Sequence, residues 1–322
     1  MRANRFAVIA VLITLVALPA AAQVNDTYVI AAAANSPGAF GTRWMTQFSL
    51  FNPQLQYDLW ISVTYVPTSG GQAIEELVDV PRNSVAYSDN ILADLFGVTG
   101  GGSLLVAAFP EDNPGVPNDV LSRSFLVTSN TFNNSSAGTF GQTIPGVWAG
   151  LMQDEITAVA HGIRNIDRLG WRTNIGAVNL GRCNVTLLLN VYDANGRTVA
   201  EALPFEIPPM AHFQDKLPYQ VDRGSVEFWI SDPCASSATN YAVVFPYTST
   251  IDELSGDPTY QVPSLLANPN VLYGKKAVAA VDTTSLGKKI GVAEARLVRE
   301  KAERRGTAKL VRDEDGRLRI TK

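Results

Sequence analysis

The chain has 322 residues, of which 46% are apolar and 17% charged, enough for two ordinary domains with substantial cores. That composition excludes a disordered or fibrous protein. The formal net charge of −4 hides a split: residues 23–273 carry 10 Lys and Arg against 23 Asp and Glu, a formal −13, whereas residues 274–322 carry 14 against 7, a formal +7. No nucleic-acid partner and no cofactor are expected of this acidic body.

Arg2 and Arg5 precede an apolar run from Phe6 to Leu18, and Ala20-Ala21-Ala22 supplies the small residues a signal peptidase reads. Residues 1–22 are expected to be a cleaved secretory signal peptide, since the run is short for a spanning helix. No Cys follows the small residues, so no lipid anchor is expected. No later stretch is apolar enough to span a membrane as a helix. The mature chain is expected to be bacterial and exported, either periplasmic, at the cell surface or secreted.

The next element occurs twice. Trp44-Met45-Thr46-Gln47-Phe48-Ser49-Leu50-Phe51-Asn52 and Trp171-Arg172-Thr173-Asn174-Ile175-Gly176-Ala177-Val178-Asn179 share Trp, Thr and Asn at one spacing, with apolar residues alternating between them. Period-2 alternation predicts a strand with one buried face. Around the first copy, residues 23–150 read as a run of short strands: Tyr28 to Ala34, the Trp44 strand, Leu59 to Tyr65, Glu75 to Val80, Tyr87 to Ile91, Ser103 to Phe109 and Val120 to Ser129. Gly, Pro and Asp mark the turns between them.

Residues 151–273 track this order. Ile156 to Gly162 opens the second unit, and Val185, Leu187, Leu189 and Val191 alternate inward. Asn195-Gly196 marks a two-residue hairpin. Pro208 matches Pro81, Phe213 to Leu217 matches Tyr87 to Ile91, Gly224-Ser225 matches Gly102-Ser103, and Phe245 matches Phe125. His161 aligns with Ala34, and Asp215 with Asp89. About seven strands in roughly 120 residues predict an all-β chain of two tandem antiparallel immunoglobulin-like β-sandwich domains. A closed barrel is the alternative architecture.

A strand ending in Asn52-Pro53, a hydrophobic hairpin, an apolar residue followed by Pro, and a Gly-led strand resemble the tandem immunoglobulin-like repeats of uncharacterised secreted bacterial proteins. The resemblance covers roughly residues 26–265. It implies a fold and an exported setting, and it brings no catalytic residues.

The composition changes after Tyr273, and residues 274–322 read as a short basic C-terminal tail. Val292, Ala295, Val298 and Ala302 form a weak amphipathic helical stripe, and Lys309 to Ile320 reads as a hairpin around Asp315-Gly316. The tail is expected to be solvated, partly disordered and weakly packed, because its charge and sparse apolar residues bury little area. The alternative is a basic arm that touches an anionic partner such as a polymer, a lipid surface or the acidic body itself.

Candidate sites are sparse. His161 and His212 have no companion histidine or Cys pair at ligand spacing, so no zinc site is expected. Asp252, Glu253 and Asp257 form an acidic loop that could hold calcium. Trp60 and Trp229 fall opposite the apolar alternation of their strands, where an exposed indole stacks on a sugar or anchors a partner. Cys183 and Cys234, the only cysteines, are expected to form a disulfide in the second unit. The residues together predict a non-catalytic structural or interaction protein of the cell envelope or extracellular space, with a cell-surface protein or polysaccharide as partner. The alternatives are a carbohydrate- or polymer-binding module and a hydrolase with an interdomain site.

Overall fold

The computed structural model describes residues 25–38, 41–135, 138–147, 156–231, 243–267 and 295–322. The leader expected over 1–22 and Cys234 lie outside the described residues.

The first half holds β1 (Thr27–Pro37), β2 (Arg43–Asn52), β3 (Leu59–Pro67), β4 (Ile74–Val80), β5 (Ser84–Ser88), β6 (Gly100–Ala107), β7 (Leu126–Ser135) and β8 (Gly138–Pro145). The second holds β9 (Ile156–Asn165), β10 (Trp171–Asn179), β11 (Val185–Tyr192), β12 (Thr198–Ile207), β13 (Ala211–Lys216), β14 (Val221–Ser231), β15 (Val244–Asp252), β16 (Pro258–Gln261) and β17 (Ser264–Ala267). In the second half the strands pair as β12-β11-β14-β9-β17 and β13-β10-β15-β16. In the first half β4-β3-β6-β1 and β5, β7 and β8 around β2 repeat that order. The two layers of the first half meet at a corner where Asn35–Pro37 of β1 pair with Arg43–Met45 of β2.

This strand distribution differs from the immunoglobulin arrangement. There the first strand shares a sheet with the second. Here β1 runs along β6 beside β3 and β4 and meets β2 only at the corner, and β9 lies with β11, β12 and β14.

The repeated Thr and Asn have matching jobs. The Thr46 hydroxyl meets Thr131 Oγ1 at 2.8 Å across β2 and β7, and Thr173 meets Thr250 at 2.9 Å across β10 and β15. Asn52 and Asn179, both fully buried, end their strands. Asn52 Nδ2 donates to the Tyr57 and Val80 carbonyls at 3.0 Å, and Asn179 Nδ2 donates to Cys183 at 2.8 Å and Ile207 at 3.1 Å. Each Oδ1 accepts the amide two residues on, from Gln54 or Gly181. The side chain thus satisfies backbone groups where the chain leaves one sheet for the other, groups that would be costly to bury unpaired. Gly102 and Gly224 also correspond: a Cβ on Gly102 would strike the Val66 carbonyl, and one on Gly224 the Tyr192 carbonyl.

Two of the sequence matches slip by one residue. Phe51 pairs with Leu126, and Val178 with Phe245, so Phe245 corresponds to Leu126 rather than Phe125. Ser49 pairs with Tyr87, and Gly176 with Gln214, so Tyr87 corresponds to Gln214 and Asp215 to Ser88. A one-residue slip turns a strand's side chains to the other face. Phe125 accordingly joins the first core, whereas Phe245 faces out of the second half. Asp89 and Asp215 are therefore not a matched pair.

Alternation places Ile61 and Val63 of β3 with Leu104 and Val106 of β6 against Phe48 and Leu50 of β2, which makes the first core. Val185, Leu187, Leu189 and Val191 of β11 face Ile175, Ala177 and Val244 in the second.

The tail does not behave as a solvated segment. Residues 295–301 form a helix, α1, followed by β18 (Glu303–Thr307), β19 (Lys309–Arg312) and β20 (Leu318–Thr321). The expected hairpin is present between β19 and β20, turning through Gly316 at a φ of 79°. It is docked on the first half. β18 pairs parallel with β4, and β20 pairs parallel with β5. Ala308 and Ile320 complete the first core. The segment thereby bridges the open edges of both layers on the side opposite the β1–β2 corner, making the first half nearly barrel-like.

Candidate functional site: the seam between the halves

β1 and β10 are buried along almost their whole length, on both faces. The reason is a third apolar cluster between the halves. Val29, Leu105 and Phe109 of the first half meet Val178, Phe245 and Tyr247 of the second. Ala295 and Val298 of α1 insert into the same cluster, and Ala302 packs beside it, so the expected helical stripe covers the seam.

The acidic body holds the tail at this point. Arg299, with 11% of its side chain exposed, sits 2.8 Å from the Glu75 carboxylate and meets both Asp112 oxygens, at 2.6 and 2.8 Å. Its guanidinium lies over the Phe109 ring at 4.7 Å. Arg296 and Arg304 add contacts to Glu111 and Asp112, and Arg319 reaches Asp89 and Asp94. Glu75 is almost fully buried and also accepts the Ser62 hydroxyl at 2.8 Å. A buried carboxylate needs such a cation.

A cleft of about 300 Å³ opens along the seam. His212 lies in its wall and is buried. Its Nδ1 meets the Thr68 hydroxyl at 2.8 Å and its Nε2 the Tyr247 hydroxyl at 2.7 Å. Tyr247 donates to Gln214 Oε1 at 2.7 Å, which makes His212 Nε2 the donor to Tyr247 and Nδ1 the acceptor from Thr68. The Tyr247 ring crosses β10 at Gly176, where a Cβ would collide with it. Burial holds the imidazole's pKa down at about 3, so the ring is neutral at pH 7 and a weak base. No carboxylate is found among the described residues lining the cleft. Backbone contacts reinforce the joint, with the Ser69 amide on the His212 carbonyl at 2.8 Å. Gln142 and Ser249 join the halves side chain to side chain at 3.1 Å.

The sequence-predicted candidates fall elsewhere. His161 is exposed on β9, outside the cleft. Trp60 on β3 and Trp229 on β14 are half-buried; Trp229 packs against the second core, and the Trp60 backbone is pinned by Asn113. The Asp252 carboxylate is taken up by its own turn, accepting the Leu254 amide and the Ser255 hydroxyl at 3.0 Å, which lowers its pKa. Glu253 turns to Arg172 at 3.0 Å. Asp257 is tied into the same turn through its amide, which the Ser255 hydroxyl accepts. The three acids do not converge, and no group of metal-ligating residues is found among the described residues. Cys183 lies in the loop before β11, and its expected partner Cys234 is outside the described residues. The seam itself went unread in the sequence, although the continuous apolar run of β1 is the pattern of a strand covered on both faces.

No protein-family model and no curated protein matches the chain. Among solved structures, a biofilm associated protein B domain is similar at 11% identity over 73% of this chain and 78% of that one, with a TM-score of 0.17. A likeness at that level carries no functional argument. Among the described residues, no helix is long and apolar enough to cross a membrane.

Proposed function

We propose that the protein is a non-catalytic, exported structural or interaction module of the cell envelope or extracellular space, built from a duplicated β-sandwich unit. The signal-like start, with Arg2, Arg5 and the apolar run to Leu18, supports export. The shared strand order and the paired Asn52 and Asn179 clamps support a tandem duplication that departs from the immunoglobulin type in where its first strand lies. The observation that carries the reading is the seam. Thr68, His212, Tyr247, Gln142 and Ser249, the groups best placed for chemistry between the halves, are spent on one another in holding them together. A rigid, clamped pair of units suits presentation of a surface to a partner better than turnover.

The test is to incubate the purified mature chain with solubilised envelope fractions and, separately, with ester, peptide and glycoside substrates. The expected result is selective retention of an envelope component with no turnover. Turnover that His212→Gln abolishes would overturn the proposal.

A further inference from the structure

The duplicated tryptophans differ in what covers them. Arg164 stacks over Trp171, its guanidinium carbon 4.1 Å from the ring centroid. Strand register gives Arg164 a definite counterpart. Gly102 pairs with Ala33 and Gly101 with Ala34, while Gly224 pairs with Ile163 and Asp222 with Arg164. Ala34 is therefore the first-half equivalent of Arg164, in place of the His161 match expected from spacing. A methyl group stands where a guanidinium would lie, and both Ala34 and Trp44 line the seam cleft.

The rest of the lining sets amides and hydroxyls beside the apolar Ala32, Ala33 and Ile251. Asn174, only 7% exposed, contributes its side chain to the cleft wall, and its Oδ1 accepts from Arg172 at 2.7 Å. Gln214 lines the cleft and takes the Tyr247 proton on Oε1, and its amide Nε2 is a donor type suited to a guest's hydroxyl. Ser36 adds a hydroxyl. The one cation in the wall, Arg172, is paired with Glu253, and His212 is neutral. An uncharged guest is thus preferred. A half-covered indole beside several amides suits a molecule with an apolar C–H face and a rim of hydroxyls. The volume of about 300 Å³ stands at the lower end of the range for ligand pockets and suits one ring or a short chain end.

We propose that the seam cleft is a binding site for a neutral saccharide, with Trp44 as the stacking platform and Asn174 and Gln214 as hydroxyl readers. The site adds a ligand to the structural role and does not depend on it: a module that binds no sugar still joins envelope components, and a sugar-binding chain with no envelope partner still has this site.

The experiment is saturation-transfer NMR on the full chain with millimolar glucose, galactose, mannose and N-acetylglucosamine and their disaccharides. At least one sugar is expected to receive saturation from aromatic protons. Ala34→Arg, which rebuilds the cover found on Trp171, is expected to weaken binding at least tenfold with an unchanged melting temperature. Asn174→Ala, a smaller change, is expected to weaken it without blocking the platform. No transfer to any sugar in the native chain overturns the proposal. So does binding that survives Ala34→Arg, or binding that is lost on replacing Trp60 or Trp229 instead.

Discussion

The two halves share a strand order and an Asn clamp, yet they finish their edges differently. In the first, β4 and β5 are covered by β18 and β20, which arrive from beyond the second half. In the second, the equivalent edge strands β12 and β13 each have one strand partner among the described residues, and β17 is added beside β9 instead. Unpaired edges invite unwanted pairing, and covering them is one of the ways proteins manage it. The acids in and beside the covered edge of the first half are matched to the tail: Glu75 is buried, Asp112 is half-buried, and both meet Arg299. Equivalence of strand order therefore does not imply independence, because the first half borrows its closure from the end of the chain.

That contrast can be broken most severely at Arg299. Arg299→Met leaves buried Glu75 without its cation and Asp112 with Arg304 alone, at an expected cost of about 3 to 5 kcal/mol in chemical denaturation. A loss below about 1 kcal/mol, typical of a surface pair, would place the tail outside the fold. The second half has its own proposed fastening. A Cys183–Cys234 bridge closing about 50 residues would contribute at most about 4 kcal/mol, less any strain. Reductant should then lower protection in β11 and β14 while leaving β3 and β6 unchanged. Two thiols titrating in the denatured, unreduced protein would remove the bridge.

The shared clamp sharpens the comparison from the other side. Asn52→Ala and Asn179→Ala each strand buried backbone groups and should each cost about 2 to 4 kcal/mol. A severe effect in one and a mild effect in the other would show that the duplication is one of topology only. The effect that is absent near neutral pH and emerges only on acidification lies at the seam. His212 has a folded pKa of about 3 against roughly 6.5 when unfolded. The unfolded state binds the extra proton between those values, so the stability that His212 contributes is complete above pH 6.5 and is lost as pH falls toward 3. The native chain should lose up to about 1.4 kcal/mol per pH unit relative to His212→Gln across that window. Parallel stability curves for the two proteins would mean that the imbalance is absent.

Much of this was legible in the residues. Trp44–Asn52 and Trp171–Asn179 are strands bounded much as their alternation predicts, and Gly102 and Gly224 correspond because each faces a carbonyl with no room for a Cβ. The slip at Phe125 arose because its counterpart strand β15 is buried on both faces, so that apolar identity no longer marks the inner face, whereas at Tyr87 an aromatic residue stands on the more exposed face of β5. The tail was misread because β18 is Glu-Arg-Arg-Gly-Thr. Its contribution is backbone pairing and charge, and neither leaves an apolar period. The cleft was unreadable for a related reason, since Arg164 and Ala34 become comparable only once strand register is known.

The central claim is that residues 295–322 are a structural part of the first half. Hydrogen exchange on the full chain and on a chain ending at residue 294 tests it most directly. Loss of the segment should deprotect β4 and β5, and with them β3 and β2, while β11, β14 and β10 keep their protection. Equal protection of β4 and β5 in both chains would contradict the claim.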